Sequence, residues 1–177
     1  SDKTEDLIKD KMKNDSRVRA IKHETPKGIG ASFWDGVDNA RGELVIMMPG
    51  DNENDLGEML RYVNLMESVD IIIPFTFNKA VRSMFRNFLS FVYRFIINAT
   101  FFTSLNYTNG TVMYRTALLK ELEDKQAGFF FQADTLIKLI KRGYLYAEAP
   151  YRLGQREKGK SKATSLRSLY NVIKGYI

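Results

Sequence analysis

Hydrophobic and polar residues are grouped along the first half of the chain in blocks that predict strands and helices in turn. Short, largely apolar runs predict strands at residues 17–21, 43–48 and 70–75. Apolar residues at helical spacing predict helices at residues 5–12, 31–40 and 56–66. Strands that alternate with helices are typical of an α/β protein with a mostly parallel sheet.

The second half continues this pattern and ends in an amphipathic segment. A strand is expected at residues 111–114, helices at 117–122 and 133–142, and an edge strand at 145–153. Apolar residues then recur at helical spacing as far as the last residue. We therefore expect residues 1–164 to form one domain and residues 165–177 to form a C-terminal amphipathic helix.

One segment, residues 81–102, is apolar nearly all round. Its three arginines are surrounded by phenylalanine, leucine, isoleucine and valine. A helix of this kind is buried in the core or in a contact with a second copy of the chain, or it lies against the surface of a membrane. The pattern alone leaves these alternatives open.

A group of acidic side chains follows the central predicted strand. The apolar run at residues 44–48 ends at a Pro-Gly pair, and Asp51, Glu53 and Asp55 come directly after it. Ligand sites in parallel sheets lie at the carboxyl ends of the strands, so these carboxylates are expected at such a site. An acidic turn with a helix N-cap is the alternative, since Asp and Asn favour those positions.

A glycine-containing basic stretch follows the last predicted strand. Its Arg156, Lys160 and Lys162 offer the charged donors that surround a phosphate group. The alternative is a solvated surface loop, because charged residues are usual on surfaces.

Composition narrows the classes of protein without choosing a function. The 177 residues are 44% hydrophobic and 27% charged, which suits one folded domain rather than a disordered chain. The 27 basic and 21 acidic residues give a formal charge of +6, which suits phosphate groups, anionic lipid or nucleic acid. No recognisable nucleic-acid-binding module accompanies the basic residues, so nucleic acid is not the expected partner.

Reactive side chains are few. The chain has no cysteine, and therefore neither a disulfide framework nor a thiolate nucleophile. Its one histidine, His23, falls at the end of a predicted strand, and we interpret it as structural because one imidazole is thin evidence for catalysis.

Several short motifs follow one another along the chain. They are Asp2-Lys3-Thr4, the loop Lys27-Gly28-Ile29-Gly30-Ala31, Gly36, Ala40-Arg41-Gly42-Glu43, the strand that ends at Asp51, and the stretch 130–162. Taken in this order, the motifs resemble glycosyltransferase family 2, and most strongly its branch that acts on polyprenyl phosphates, the dolichyl-phosphate mannose synthase-like enzymes. The resemblance implies a three-layer, Rossmann-like fold of the nucleotide-diphospho-sugar transferase type, with a mostly parallel sheet.

The resemblance implies a divalent cation, Mg²⁺ or Mn²⁺, at the end of the central strand. Such enzymes place an Asp-x-Asp triplet there, and here the corresponding residues are Pro49-Gly50-Asp51, so the first carboxylate is missing. Asp51 is then the remaining metal ligand, and Glu53 matches a position where the polyprenyl branch supplies a further oxygen. Two carboxylates and two phosphates can complete the oxygen coordination that such cations require.

The same resemblance implies roles for residues on the donor side. Lys27 and Gly28 fall in the nucleotide loop, and Arg156, Lys160 and Lys162 match a lid that closes over the donor diphosphate.

On the acceptor side, Arg82, Arg86 and Ser90 resemble the pattern that holds a lipid phosphate, and the spacing of four places both arginines on one helical face. Asn109-Gly110 matches a turn beside the acceptor pocket. Asp134 resembles the catalytic acidic position at the start of a helix near the acceptor.

Members of the family normally begin with a strand, a helix and a second strand that hold the nucleobase and ribose. Ser1-Asp2-Lys3-Thr4 resembles the end of that segment. We therefore expect the domain at residues 1–164 to lack this first βαβ segment and to bind nucleotide poorly.

The function implied by the resemblance is an inverting, metal-assisted sugar transfer in the synthesis of cell-envelope glycans. The donor is a nucleotide-diphosphate sugar and the acceptor is polyprenyl phosphate or another lipid-linked group, with the protein peripheral at the cytoplasmic face of the membrane. A polysaccharide hydroxyl is the second acceptor, with Asp134 as general base. A non-catalytic domain that binds a membrane or a partner through residues 81–102 is the alternative from a different class.

Overall fold

The structure of the protein is a computed structural model that describes residues 3–78, 80, 83–128 and 130–154. Its strands are β1 (Leu44–Ile46), β2 (Ile71–Thr76), β3 (Met113–Arg115) and β4 (Tyr146–Tyr151). Its helices are α1 (Thr4–Asn14), α2 (Ile29–Asp38), α3 (Leu56–Leu60), α4 (Met84–Phe101), α5 (Thr116–Lys120) and α6 (Phe131–Lys141), with a 3-10 helix at Val63–Glu67.

The four strands form one sheet in the order β1-β3-β2-β4. β2 and β4 pair in parallel, with Ile71 opposite Tyr146, whereas β3 is antiparallel to both of its neighbours. Of the strands described, β1, β2 and β4 therefore run in one direction and β3 is reversed, so one of the three pairings is parallel and two are antiparallel. The predicted α/β class is confirmed. The predicted edge strand is confirmed as well, because β4 ends the order.

Two apolar clusters cover the two faces of the sheet. Ile71 and Ile73 belong to the larger cluster, together with side chains of α2 and α6. Ile72 belongs to the smaller cluster, with Met59 of α3. Successive residues of a strand point to opposite faces, so three buried isoleucines in a row require cover on both sides. The result is the three-layer arrangement expected from the sequence.

Residues 17–21 do not form the predicted strand. Arg17 donates from its main chain and its guanidinium to Asp15, and Arg19 donates to a main-chain carbonyl just beyond α2. Ile21 is 49% exposed. This segment buries too little apolar surface to be fixed as a strand.

The predicted helix at residues 56–66 is interrupted. α3 ends at Leu60, and the 3-10 helix begins after a short turn. Met59 and Met66 are both buried in the same cluster. The apolar spacing that predicts one helix therefore persists across two shorter elements.

α4 is not buried, contrary to one interpretation of its sequence. Only Ile97 of its 18 residues is fully buried. A row of phenylalanines, which we call the aromatic face of α4, is between 55% and 66% exposed. Contact of this face with a membrane surface or with a protein partner stays a prediction. The aromatic face consists of Phe85, Phe88, Phe91 and Phe95.

No helix among the described residues is both long enough and apolar enough to cross a bilayer. The predicted amphipathic helix at residues 165–177 lies outside the described residues.

Candidate functional site at the carboxyl edge of the sheet

The carboxyl ends of β1, β2 and β4 meet at one edge of the sheet, which we call the carboxyl edge. Because β3 is reversed, its beginning lies at the same edge. Four stretches of chain therefore meet there: residues 47–55, 77–78, 108–112 and 152–154. Open α/β sheets bind their ligands at this edge.

Residues 51–53 form a turn that carries two carboxylates, and we call it the carboxylate turn. Oδ1 of Asp51 accepts a hydrogen bond from the main-chain N–H of Glu53 at 3.2 Å. Asn52 between them has a left-handed backbone with φ 58°, which asparagine tolerates better than most residues. Asp51 is half-buried and Glu53 is buried. A buried carboxylate is costly unless it is paired, so its partners matter.

α4 brings a cation to the carboxylate turn. Nη2 of Arg86 lies 3.9 Å from Oε2 of Glu53. The hydroxyl of Ser83 caps α4 by accepting from the main-chain N–H of Arg86 at 3.3 Å, which fixes the first turn of the helix. Ser90 lies one turn further along and is half-buried.

Asp55 caps α3, as the alternative interpretation of the acidic group predicts. Its Oδ1 accepts from the main-chain N–H of Gly57 at 2.8 Å. The hydroxyl of Tyr151 ties this segment to the sheet, because it accepts from the N–H of Asp55 at 2.8 Å and donates to Oδ1 of Asn54 at 3.3 Å. Burial raises the pKa of Tyr151, so its hydroxyl keeps the proton that it donates.

Asn109 and Gly110 lie at the same edge, in the turn before β3. The carbonyl of Gly110 accepts from Nε2 of Gln132 at 3.2 Å. Oδ1 of Asn109 accepts from the hydroxyl of Tyr93 at 3.5 Å. Met47, just after β1, lines the same small pocket as Gly110 and Gln132. The first turn of α6 therefore reaches the carboxyl edge through Gln132.

Asn78, just after β2, joins the ends of β2 and β4. Its Nδ2 donates to the carbonyl of Leu153 at 2.8 Å, and its Oδ1 accepts from the N–H of Leu153 at 3.0 Å. The next residue, Gly154, donates its N–H to the carbonyl of Glu53 at 2.9 Å. Main chain after β4 is thus joined to the carboxylate turn.

The predicted nucleotide loop lies at the start of α2. Gly28 is the N-cap residue and has φ 91°, a conformation that favours glycine. Nζ of Lys27 lies 3.6 Å from Oδ2 of Asp35, and Nε2 of His23 lies 2.7 Å from the same oxygen. Gly30 packs closely against the main chain of Ala127, so α2 is held against the segment before α6.

Asp134 lies in the first turn of α6, as predicted, and forms an ion pair with a lysine of its own helix. Nζ of Lys138 lies 2.8 Å from Oδ2 of Asp134 and 2.8 Å from Oδ2 of Asp124. Burial lowers the pKa of Lys138, but its hydrogen bonds to the two carboxylates outweigh this and raise the pKa overall. Asp134 is therefore paired with a cation.

Several predicted site residues lie outside the described residues. They are Arg82, Arg156, Lys160 and Lys162.

The residues of the carboxylate turn fit a divalent cation only if the donor contributes ligands too. Asp51 and Glu53 provide the hard oxygen atoms that Mg²⁺ and Mn²⁺ prefer. Within the described ranges, no group of three or more carboxylate, histidine or cysteine side chains could hold a metal ion. A cation at this turn would therefore be shared with the phosphate oxygens of a nucleotide, as Mg²⁺ usually is.

Three residues that organise this edge were not identified from the sequence. Asn78 carries a usable signal, because it is a polar residue close behind an apolar strand. Tyr151 and Gln132 carry none, since their partners are 96 and 22 residues away along the chain.

Solved structures share this fold. A structure described as that of a mycobacterial protein superposes with a TM-score of 0.69 at 18% identity, over 99% of this chain and 60% of that one. Glucosyl-3-phosphoglycerate synthase from Mycobacterium tuberculosis, in complex with Mn²⁺, UDP and phosphoglyceric acid, gives 0.61 at 18% identity over 86% and 55%. The same enzyme with Mg²⁺ and UDP gives 0.65 at 17% identity over 99% and 63%. The chain thus has the fold of these proteins and spans 55–63% of their length.

The sequence settles the family. The profile described as "Glycosyl transferase family 2" matches residues 1–123, more than two thirds of the chain. The chain belongs to glycosyltransferase family 2. No curated protein matches it significantly.

Proposed function

We propose that the carboxyl edge is the active site of a glycosyltransferase that moves a sugar from a nucleotide-diphosphate donor, with inversion, to polyprenyl phosphate or another lipid-linked phosphate. Family membership supports the reaction class. An enzyme with a similar fold has been crystallised with UDP and Mn²⁺ or Mg²⁺, which supports a nucleotide-diphosphate sugar as donor and one of these cations as cofactor.

One observation carries the choice of acceptor: the position of Arg86. This residue lies in the first turn of α4, and its guanidinium is 3.9 Å from the carboxylate of Glu53. A phosphate head group beside Arg86 would be next to the proposed donor site. The aromatic face points away from Arg86 on the other side of α4, where it could lie against the membrane that holds the isoprenoid chain. Arginine suits this role because its planar fork matches phosphate geometry.

On the donor side, Asp51 and Glu53 would hold the cation against the diphosphate. The bound cation supplies electrostatic stabilisation of the charge that develops on the leaving diphosphate. Arg156, Lys160 and Lys162 would add positive charge to the same group. Lys27 and Gly28 would contact the nucleotide from the start of α2.

On the acceptor side, Arg86, with Arg82 and Ser90, would orient the acceptor phosphate, and Asn109-Gly110 would shape the pocket wall. An ionised phosphate oxygen can attack the anomeric carbon without a strong base. The pairing of Asp134 with Lys138 at 2.8 Å agrees with an orienting role for this carboxylate rather than proton abstraction.

For the location we propose a peripheral position at the cytoplasmic face of a membrane. The aromatic face of α4 supports it, because amphipathic helices bury such faces at the boundary between head groups and acyl chains. A second copy of the chain is the alternative occupant of this face.

The experiment compares two phosphate acceptors. The protein is incubated with Mn²⁺ and a panel of nucleotide sugars, with either polyprenyl phosphate in detergent or phosphoglyceric acid as acceptor. We expect transfer to the lipid phosphate, and we expect Arg86→Ala to raise its KM about 10- to 100-fold, because a charged hydrogen bond contributes about 1.5–3 kcal/mol.

Arg94→Ala is the matched control. It removes an arginine of the same helix whose guanidinium donates to the carbonyl of Asn106 at 3.0 Å, away from the carboxylate turn. Its KM should stay near that of the unaltered protein. Transfer to phosphoglyceric acid alone would contradict the lipid acceptor while leaving the reaction class intact.

A further inference from the structure

Two asparagines of this chain hold main chain in the same way. Asn78 makes two hydrogen bonds to the main chain of Leu153, one from its amide NH₂ and one to its amide oxygen, at 2.8 and 3.0 Å. Asn98 in α4 makes the same two bonds to the main chain of Leu105, at 2.9 and 3.0 Å. An amide side chain can replace a neighbouring strand in this way, because it carries both a donor and an acceptor.

The two asparagines act at different places. Asn98 lies 12 residues beyond Arg86 on α4, about 18 Å along the helix axis. Asn78 follows β2 at the carboxyl edge, where the parallel pairing of β2 and β4 runs out at Thr76 and Tyr151. It extends that pairing as far as Leu153.

Gly154 connects the segment held by Asn78 to the carboxylate turn. Its N–H donates to the carbonyl of Glu53 at 2.9 Å. A Cβ added at Gly154 would lie 3.3 Å from that same oxygen, so the main chain at Gly154 lies close to the main chain at Glu53. Arg156 follows two residues later in the sequence.

We propose that Asn78 is a positioning residue for the proposed donor site: it holds Leu153 and Gly154 so that Gly154 fixes the main chain of Glu53 and, with it, the carboxylate turn. This inference rests on the proposed function. Asn78 touches no reacting group and acts through the main chain of two neighbours. Residues that orient metal ligands in this indirect way typically change metal affinity 10- to 100-fold when they are replaced.

The test measures binding rather than turnover. The full chain is titrated with manganese pyrophosphate by calorimetry, because this probe carries the cation and the diphosphate without a nucleobase. Asn78→Ala should weaken binding about 10-fold. Asn98→Ala loses an equivalent pair of hydrogen bonds and also the one that its Oδ1 accepts from the Thr103 hydroxyl at 2.9 Å. It should lower the midpoint of urea unfolding at least as much as Asn78→Ala but change the affinity less than about twofold.

A second variant covers the case in which Asn78→Ala is too unstable to assay. Gly154→Ala keeps the asparagine and pushes the Glu53 carbonyl away by a few tenths of an ångström, so it should weaken the same binding. If both Asn78→Ala and Gly154→Ala bind like the unaltered protein, or if Asn98→Ala is weakened as much as Asn78→Ala, the inference is overturned.

Glu53→Gln separates failure of this inference from failure of the proposed function. Loss of binding in Glu53→Gln with normal binding in Asn78→Ala overturns the role of Asn78 and leaves the donor site standing. Equal binding by the unaltered protein and Glu53→Gln removes the proposed role of Glu53 in the site, and the role of Asn78 with it.

Discussion

At the residue scale, Asp51 is the position on which the proposed donor site depends most. Its carboxylate has two separable features, a negative charge and the oxygen that accepts from the N–H of Glu53. Asp51→Asn keeps the second feature and removes the first. We expect kcat/KM to fall about 100-fold or more, since loss of a metal ligand removes several kcal/mol of transition-state stabilisation.

Asp55→Asn is the control for this substitution, because asparagine caps helices as well as aspartate does and Asp55 caps α3. Steady-state kinetics of the two variants should therefore differ widely. An Asp51→Asn protein as active as Asp55→Asn would rule out a cation ligand at this position.

Asp134 distinguishes the two kinds of acceptor. If the acceptor is a phosphate, Asp134→Asn should reduce kcat less than about 10-fold, because no strong base is required. If it is a sugar hydroxyl, the loss should be about 10²- to 10⁴-fold, the usual contribution of a general base.

The Lys138 ion pairs provide the control for Asp134. Asp124→Asn removes the other carboxylate partner of Lys138. Because the side chain of Asp124 is 88% exposed, this variant reports the effect of a broken ion pair alone. Rates that fall equally in both variants would mean that Asp134 acts only through its pairing with Lys138.

At the element scale, the packing of α2 can be tested with two glycines of that helix. A Cβ at Gly30 would lie 2.4 Å from the main-chain oxygen of Ala127, whereas a Cβ at Gly36 would have no atom within 4 Å. Gly30→Ala should therefore lower the free energy of unfolding by about 2–3 kcal/mol through overpacking. Gly36→Ala should raise it by about 0.5–1 kcal/mol, because alanine loses less backbone entropy in a helix.

Urea unfolding of the two variants measures both changes, and the difference between them cancels the common effect of adding a methyl group. A Gly30→Ala protein as stable as Gly36→Ala would show that α2 does not press against the main chain of Ala127.

Most elements could be predicted because their hydrophobic pattern is strong. The isoleucines of β2 are buried on both faces, α2 buries one side, and α6 is buried over most of its surface. The strand predicted at residues 17–21 was wrong because the two arginines of this segment leave it exposed. The strand propensity of its apolar residues does not reveal that exposure. The reversal of β3 could not be predicted, since its partners in β1 and β2 are fixed by tertiary pairing rather than by local sequence.

The candidate site was predictable only in part. Asp51 and Glu53 follow a strand, so sheet geometry alone places them at an edge. The approach of Arg86 to Glu53 depends on the direction in which α4 leaves that edge, which no local pattern specifies. Exposure of the aromatic face likewise depends on how few elements pack against α4, and its composition alone suggested burial as readily as exposure.

At the scale of the whole molecule, two tyrosines predict alkaline sensitivity. Burial raises the pKa of Tyr93 to about 12 and raises the pKa of Tyr114 as well. In the unfolded chain these phenols ionise near pH 10, so above that pH the unfolded state binds fewer protons than the folded state. The contribution of these two tyrosines to stability should therefore be constant below about pH 10 and then fall, by up to about 1.4 kcal/mol per pH unit for each tyrosine.

Tyr93→Phe isolates one of these contributions. Within the described part of the chain, the hydroxyl of Tyr93 makes one long hydrogen bond, 3.5 Å to Asn109, so its removal should cost little at neutral pH. Denaturant unfolding between pH 9 and 12 should show a shallower decline for the variant than for the unaltered protein. Parallel declines would mean that Tyr93 ionises equally in both states.

The reversed strand β3 also has a consequence for the newly made chain. β1 pairs with β3, and about 67 residues separate Ile46 from Met113. At a synthesis rate of 5–20 residues per second, β1 emerges about 3–13 s before its partner exists. During that interval β1 lacks its partner β3, so its apolar residues are expected to need protection from aggregation at the ribosome, and the described sheet can close only after β3 has been made.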